Sequence, residues 1–418
     1  MKILIKKATI ISPTSPLNGQ TKDIFITDGT ISKIADDITE KADHTLEEKG
    51  LCVSAGWMDM FADFGDPGFE QKESIDTGTL AAAAGGFTDV MLIPNSNPVV
   101  DNKAQVEYIV QKAKQAPVNI HPSGAVSKRT EGKELSEMYD MHQSGALAFG
   151  DGIHPLQNSG ILLKALQYVK SFNGTVIQVP DDTSIGANGL MNEGLISTQM
   201  GLPGKPAMAE ELMVARDIKL ARYADSKLHF TGVSSPKSLE YIKRAKEGGI
   251  KVSCSITPYQ VYFCDEDLQQ YDTNLKLNPP VRNRADMMAL RKALLDGSID
   301  CIASHHLPQH SDNKTCEFEY AKAGMISLET MFAVLTTVGL PVQDFVQMQT
   351  INVRNIFGLP VPEIKEGETT SLTLFIPDAG FVFAEKMIRS RSKNSPFTGK
   401  KLKGRVAGTI NKGQVHLN

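Results

Sequence analysis

Four side chains in this sequence could carry acid–base or metal chemistry together: Asp63, Asp151, His305 and His306. Each stands at or just past an apolar run that reads as a buried strand, so parallel strands would gather them at one rim. Carboxylate and imidazole donors from neighbouring strand ends suffice for one hard or borderline cation. Without an ion they make a pocket of mutually hydrogen-bonded groups. Asn95, Asn278 and Arg282 are the candidate ligand contacts, although turn formation at Asn278-Pro279 also accounts for its asparagine. Other reactive residues read as structural. His229 and His121 fall on strands as packing histidines, and His142 and His154 fall on surface segments. Cys301 has no base motif beside it and reads as a small buried hydrophobe. Cys52, Cys254, Cys264, Cys301 and Cys316 lack metal-knuckle spacing, and their odd number suggests reduced thiols.

The elements that must position these groups follow from hydrophobic periodicity. Residues 51–60, 88–93, 118–125, 146–149, 175–179, 227–233, 251–256 and 300–303 read as buried strands. Helix-patterned segments alternate with them at 76–85, 103–115, 133–143, 159–171, 207–224, 236–247 and 285–296. That alternation predicts an α/β chain with a (β/α)8 TIM-like barrel over 51–364, whose chemistry sits where the strands end. Residues 3–12, 23–28 and 30–35 at one end alternate apolar and polar positions, as do 371–376, 381–383, 405–409 and 414–417 at the other. They predict short antiparallel strands that form one small composite β domain from 1–50 plus 365–418. The Gly/Pro-rich stretch 180–206 is too long for an ordinary βα loop and reads as a functional or packing loop.

Composition narrows the function. A net charge of −4 gives no electrostatic case for nucleic acid or an anionic membrane, and the basic run 386–403 reads as a solvated edge. No apolar run approaches a membrane span, and the opening Met1-Lys2-Ile3-Leu4-Ile5-Lys6-Lys7 is too short and charged for a secretory core, so a cytoplasmic location is expected.

Several motifs, in order, carry a family resemblance. Gly56, Asp59, Pro67 and Gly68 fit the frame Gly-x-x-Asp-x-His-x-His-x-Arg-x-Pro-Gly. The loop 94–98, the strand end at Phe149-Gly150-Asp151, the blocks 191–194 and 202–217, Lys276-Leu277-Asn278-Pro279-Pro280-Val281-Arg282 and 324–330 continue the pattern. In these motifs the chain resembles the dihydroorotase branch of the amidohydrolases. The resemblance implies a barrel with a β-sandwich built from both chain ends, Asn95 and Asn278 as substrate contacts, and Asp151 as a metal-bridging carboxylate.

The same alignment of motifs shows what has changed. Phe61 and Asp63 stand at two histidine ligand positions, Gly65 at the substrate-binding arginine, and Gln178 and Gly232 at two further histidine ligands. His305 replaces the catalytic aspartate, and Gln309 a substrate-contacting histidine. A cyclic amide needs an electrophile on its carbonyl and a nucleophile usable at neutral pH, and in the family a zinc pair supplies both. The resemblance therefore implies a degraded site with no cofactor expected. It points to the pseudo-dihydroorotases of pyrimidine biosynthesis, non-catalytic partners of aspartate transcarbamoylase, and to a homo-oligomer. The alternative is an active cyclic amidohydrolase, a dihydroorotase or an allantoinase- or hydantoinase-like enzyme. It would hold zinc in a rearranged site of Asp63, Asp151 and His305.

Overall fold

The computed structural model describes residues 1–418. Two parallel runs form most of a barrel. Trp57–Ala62, Phe87–Leu92 and Asn119–Pro122 pair in one; Thr175–Gln178, Lys227–Phe230, Val252–Ile256 and Cys301–Ile302 pair in the other. The ring closes through Ala62 beside His306, and on the far side through Phe149, bridged to Gly124 and to Val176. The strand expected over 146–149 is thus cut to a single bridging residue. Gly145 and Gly150 flank it, and Gly150 lies so close to Ile177 that a Cβ there would come within 2.5 Å of the carbonyl oxygen. The barrel interior is filled by Met58, Met60, Phe61, Met91, Ile177 and Cys301, with Val353 and Phe357 among them. It is a packed core rather than a pore.

The surrounding helices begin where a short polar side chain can take up free N–H groups. Ser74 and Thr77 make a capping box, Asn102, Asn158 and Asn283 accept from the first turn, and Ser235 precedes Pro236. The helix expected over 133–143 shrinks to Met138–Gln143, because 127–135 instead folds back with Ser127 bridged to Leu135.

The strand expected over 51–60 is two strands broken at Gly56. Cys52–Ala55 belongs to a separate sheet, while Trp57–Ala62 opens the barrel. A Cβ on Gly56 would lie 2.0 Å from the Thr88 hydroxyl, so this crossing admits only glycine. The separate sheet joins both chain ends. Cys52–Ala55 pairs antiparallel with Ser371–Val382 and parallel with Lys2–Ile10, and His44–Leu46 also pairs parallel with Lys2–Ile10. The sheet is therefore mixed rather than purely antiparallel. The two tail strands expected at 371–376 and 381–383 are one bulged strand paired with Lys401–Asn411. The basic side chains of the run 386–403 are exposed, while Ser390, Asn394 and Phe397 between them are buried.

Candidate functional site

The barrel mouth is closed by rings. Phe61, at the end of the first barrel strand, stacks on His305 with centroids 4.2 Å apart and planes 22° apart. His305 sits beyond Cys301–Ile302 at φ 46°, fully enclosed, with Nε2 2.9 Å from the Thr231 hydroxyl and Nδ1 without a partner. Burial pushes its imidazole down to about 3, so the ring is neutral. The missing side chain at 232 makes this packing possible. Gly232 has φ 70°, and a Cβ there would stand 2.6 Å from Cε1 of His305.

The other candidates turn into separate networks. Asp63 accepts from the Gly65 N–H at 2.8 Å. Asp151 accepts from the Ser127 N–H at 2.9 Å and from the Ser127 hydroxyl, which fastens the 127–135 turn onto the barrel. Burial raises its carboxyl to about 6 against the pull of those donors. His306 accepts at Nδ1 from the Ser327 N–H, and its Nε2 lies 3.6 Å from Glu73. Burial alone would raise Glu73, but His306, Ser390 and Thr77 hold its carboxyl below the ordinary value. Asp59, framed by the motif but never a rim group, accepts from the N–H and hydroxyl of Ser304 and ties the first strand to the last.

Asn95 is spent on the backbone: its amide donates to the Asp151 carbonyl and its oxygen accepts from the Ile153 N–H. Gln178 points away from the mouth to Asp217 at 3.1 Å and to the backbone of Leu156. Arg282 is buried and donates to Ser234, Asn192 and the Lys205 carbonyl, with Glu210 at 3.6 Å, so it is a structural cation rather than a free ligand contact. Asn278 lines a cavity of about 290 Å³ that also includes His154, Asp181, Lys205 and Lys276. Lys205 reaches Asp181 at 2.6 Å and Asn278 at 2.9 Å there. Sequence reasoning missed Lys205, Asp181, Thr231 and Glu73. Lys205, Asp181 and Thr231 lie beside residues that the motif reading singled out, and all four became visible as site groups only through their partners.

The remaining histidines divide. His229 is buried between Ser253 and Ser255, at 2.8 and 3.1 Å, and pushed by burial to about 3, as a packing residue would be. His121 pairs with Asp89 at 2.9 Å, beside the buried Arg354. His142, expected on the surface, is half-buried and stacked on Phe172 at 4.6 Å.

These residues do not fit a zinc pair. At positions that the family pattern gives to ligands, Phe61 presents a hydrocarbon ring and Gly232 no donor, while Gln178 and Asp151 are engaged with other groups. Nor do Asp63, Asp151 and His305 form the rearranged site that their types allowed. No three His, Cys, Asp or Glu side chains in the molecule converge on a point that could hold a metal ion.

Comparisons with known proteins place the chain. A family model described as "Dihydro-orotase-like" matches residues 50–238. The chain is 39% identical over 422 residues to a dihydroorotase of Syntrophus aciditrophicus, spanning 99% of both proteins. It is 38% identical to a dihydroorotase of Pelotomaculum thermopropionicum, spanning 99% of this chain and 98% of that one. In fold it matches the L-hydantoinase (dihydropyrimidinase) of Arthrobacter aurescens with a TM-score of 0.85 at 21% identity, over 99% of this chain and 95% of that one. A D-hydantoinase matches with a TM-score of 0.82 at 20% identity, over 100% and 95%. At 39% and 38% identity over nearly the whole of both proteins compared, the chain belongs to the dihydroorotase family.

Proposed function

We propose that this chain is a dihydroorotase-family protein of pyrimidine biosynthesis that does not turn over dihydroorotate itself and acts as a non-catalytic partner of aspartate transcarbamoylase. The observation that carries the loss of chemistry is the packing of Phe61 on His305 over Gly232. A stacked apolar ring and a neutral imidazole fill the volume where an electrophile would have to polarise the carbonyl. No carboxylate remains at 305 to move the proton. Loss of one such contribution costs orders of magnitude in rate, and here several are lost together. The partner is supported by the resemblance to pseudo-dihydroorotases alone.

The test has two arms. The purified chain is assayed for bound zinc and for both directions of dihydroorotate interconversion. Neither stoichiometric metal nor turnover above the blank is expected. Brisk ring opening with two bound metal ions per chain would establish the active amidohydrolase instead. In the second arm, a strain lacking this chain is complemented with His305→Ala. Pyrimidine prototrophy should persist, and a tagged chain should bring down the transcarbamoylase. Loss of prototrophy with the fold intact by circular dichroism would sink the non-catalytic reading.

A further inference from the structure

A second cavity lies outside the barrel mouth and is used by nothing described so far. It encloses about 450 Å³ between the turn at 309–315, Asn274 and the C-terminal strap that carries Arg391, Ser392, Lys393 and Asn394. None of its lining side chains is apolar and none is a carboxylate. Of the positions that the family pattern assigns to substrate, it includes only Gln309.

The charges in this cavity are one-sided. Lys314 is 9% exposed, and its ammonium donates only to the Thr273 carbonyl at 2.8 Å, with no carboxylate in ion-pair reach. Lys393 donates to the carbonyls of Ile388 and Ser390, and Arg391 donates through Nη1 to the carbonyl of Glu70. All three cations are therefore held by neutral acceptors, and donor hydrogens remain on each. His310 stands on the rim with its one acidic neighbour, the exposed Asp312, at 3.3 Å. A nearly buried ammonium without a counter-ion is costly unless something negative arrives to meet it.

We propose that this cavity binds the anionic head of a small metabolite, a phosphoryl or polycarboxylate group clamped between Lys314 on the barrel side and Arg391 and Lys393 on the strap. Its volume is that of a pocket for a small organic molecule rather than for a bare ion. The hydroxyls of Ser311 and Thr315 supply further hydrogen bonds to oxygens, and the Gln309 and Asn394 amides, each donating one N–H to a backbone carbonyl, keep a second. Burial pushes Lys314 down to about 7, with Lys276 adding to that effect and Asp272 and Cys316 opposing it. A bound anion favours the charged ammonium, so binding takes up a proton near neutral pH and weakens as the pH rises above 7.

The test titrates the full-length chain with pyrophosphate and, separately, with citrate, read by calorimetry and by thermal shift at physiological salt. Saturable binding of at least one is expected. Pyrophosphate alone identifies a phosphoryl site, citrate alone a polycarboxylate site, and both a general anion site. Lys314→Met should weaken binding by about tenfold, the loss of one charge-assisted hydrogen bond from a desolvated site. Because Lys314 is buried, Arg391→Ala and Lys393→Ala, at exposed side chains of the strap, serve as variants that keep the fold, and each should weaken binding severalfold. Lys133→Ala, an exposed lysine elsewhere, should not change it. No saturable binding of either probe up to ~10 mM, or equal affinity in the wild type and all three cavity variants, would overturn the proposal.

Discussion

At the scale of single residues, the mouth packs as a set rather than one side chain at a time. Phe61 stacks on His305, and Gly232 makes room for His305. Restoring one ligand therefore collides with the others. Gly232→His would place a Cβ 2.6 Å from His305 and 3.3 Å from Pro279, on a backbone at φ 70°. Strain and overpacking should each cost about 1–3 kcal/mol. Combining it with His305→Asp should recover part of the loss, which a double-mutant cycle by urea unfolding would read as coupling. Additive costs would show that the two residues do not share this space. Restoring Phe61→His and Asp63→His together should likewise leave dihydroorotate turnover at the blank, because Gln178, Gly232 and His305 still lack the right donors. Detectable turnover in that pair would count against the reading. These departures were legible in the sequence because they fall inside an otherwise intact frame. What each remaining group does instead was not legible, since Glu73 meets His306, and Thr231 meets His305, only through the fold.

At the scale of elements, buried strands were legible because a fully enclosed strand must be apolar throughout, and capped helices because their first-turn donors need a short polar acceptor. The break at Gly56 left no local signal; it follows from the approach of Thr88. In the C-terminal strap the basic side chains stand in solvent, as their charge suggests, while the burial of Ser390 and Asn394 between them comes from tertiary contacts that leave no local signal. The strap is pinned by acids. Glu73 takes the Ser390 hydroxyl and the Arg391 N–H, and Glu329 takes the Arg389 N–H. Glu329 leaves Oε2 buried without a partner, and burial pushes its carboxyl up to about 7. An acid whose folded value is raised binds its proton more tightly in the native state. It therefore costs nothing below its ordinary range near pH 4.5, and an increasing amount as the pH rises to about 7. Glu329→Gln removes that titration. The fall in stability between pH 5 and pH 8 should then shrink by on the order of 2 kcal/mol, measured by denaturant unfolding at both pH values. An unchanged pH dependence would show that Glu329 titrates as an ordinary surface carboxylate.

At the scale of the whole molecule, the end-built sheet and the barrel share an aromatic cluster built around one side chain. Trp57, the only tryptophan, begins the first barrel strand one residue after the Gly56 crossing. Its indole N–H donates to Ser54 at 2.9 Å on the sheet side, and its ring packs on Phe332 and Phe345 from the C-terminal helices. Phe375, on the long tail strand, closes the same cluster at 5.3 Å from Trp57 and 5.2 Å from Phe332. A tail strand thus contributes to the barrel core, and the two parts should lose their structure together. Phe375→Ala removes a fully buried ring from this junction and should cost about 3–5 kcal/mol. The loss should appear equally in Trp57 fluorescence, which reports the junction, and in far-UV circular dichroism, which the barrel helices dominate. Coincident transitions shifted by the same amount in wild type and variant are the expected result. If the fluorescence transition moved to lower denaturant while the circular dichroism transition stayed in place, the sheet would be detaching from a barrel that stands without it, and the junction would be a docking surface rather than a shared core.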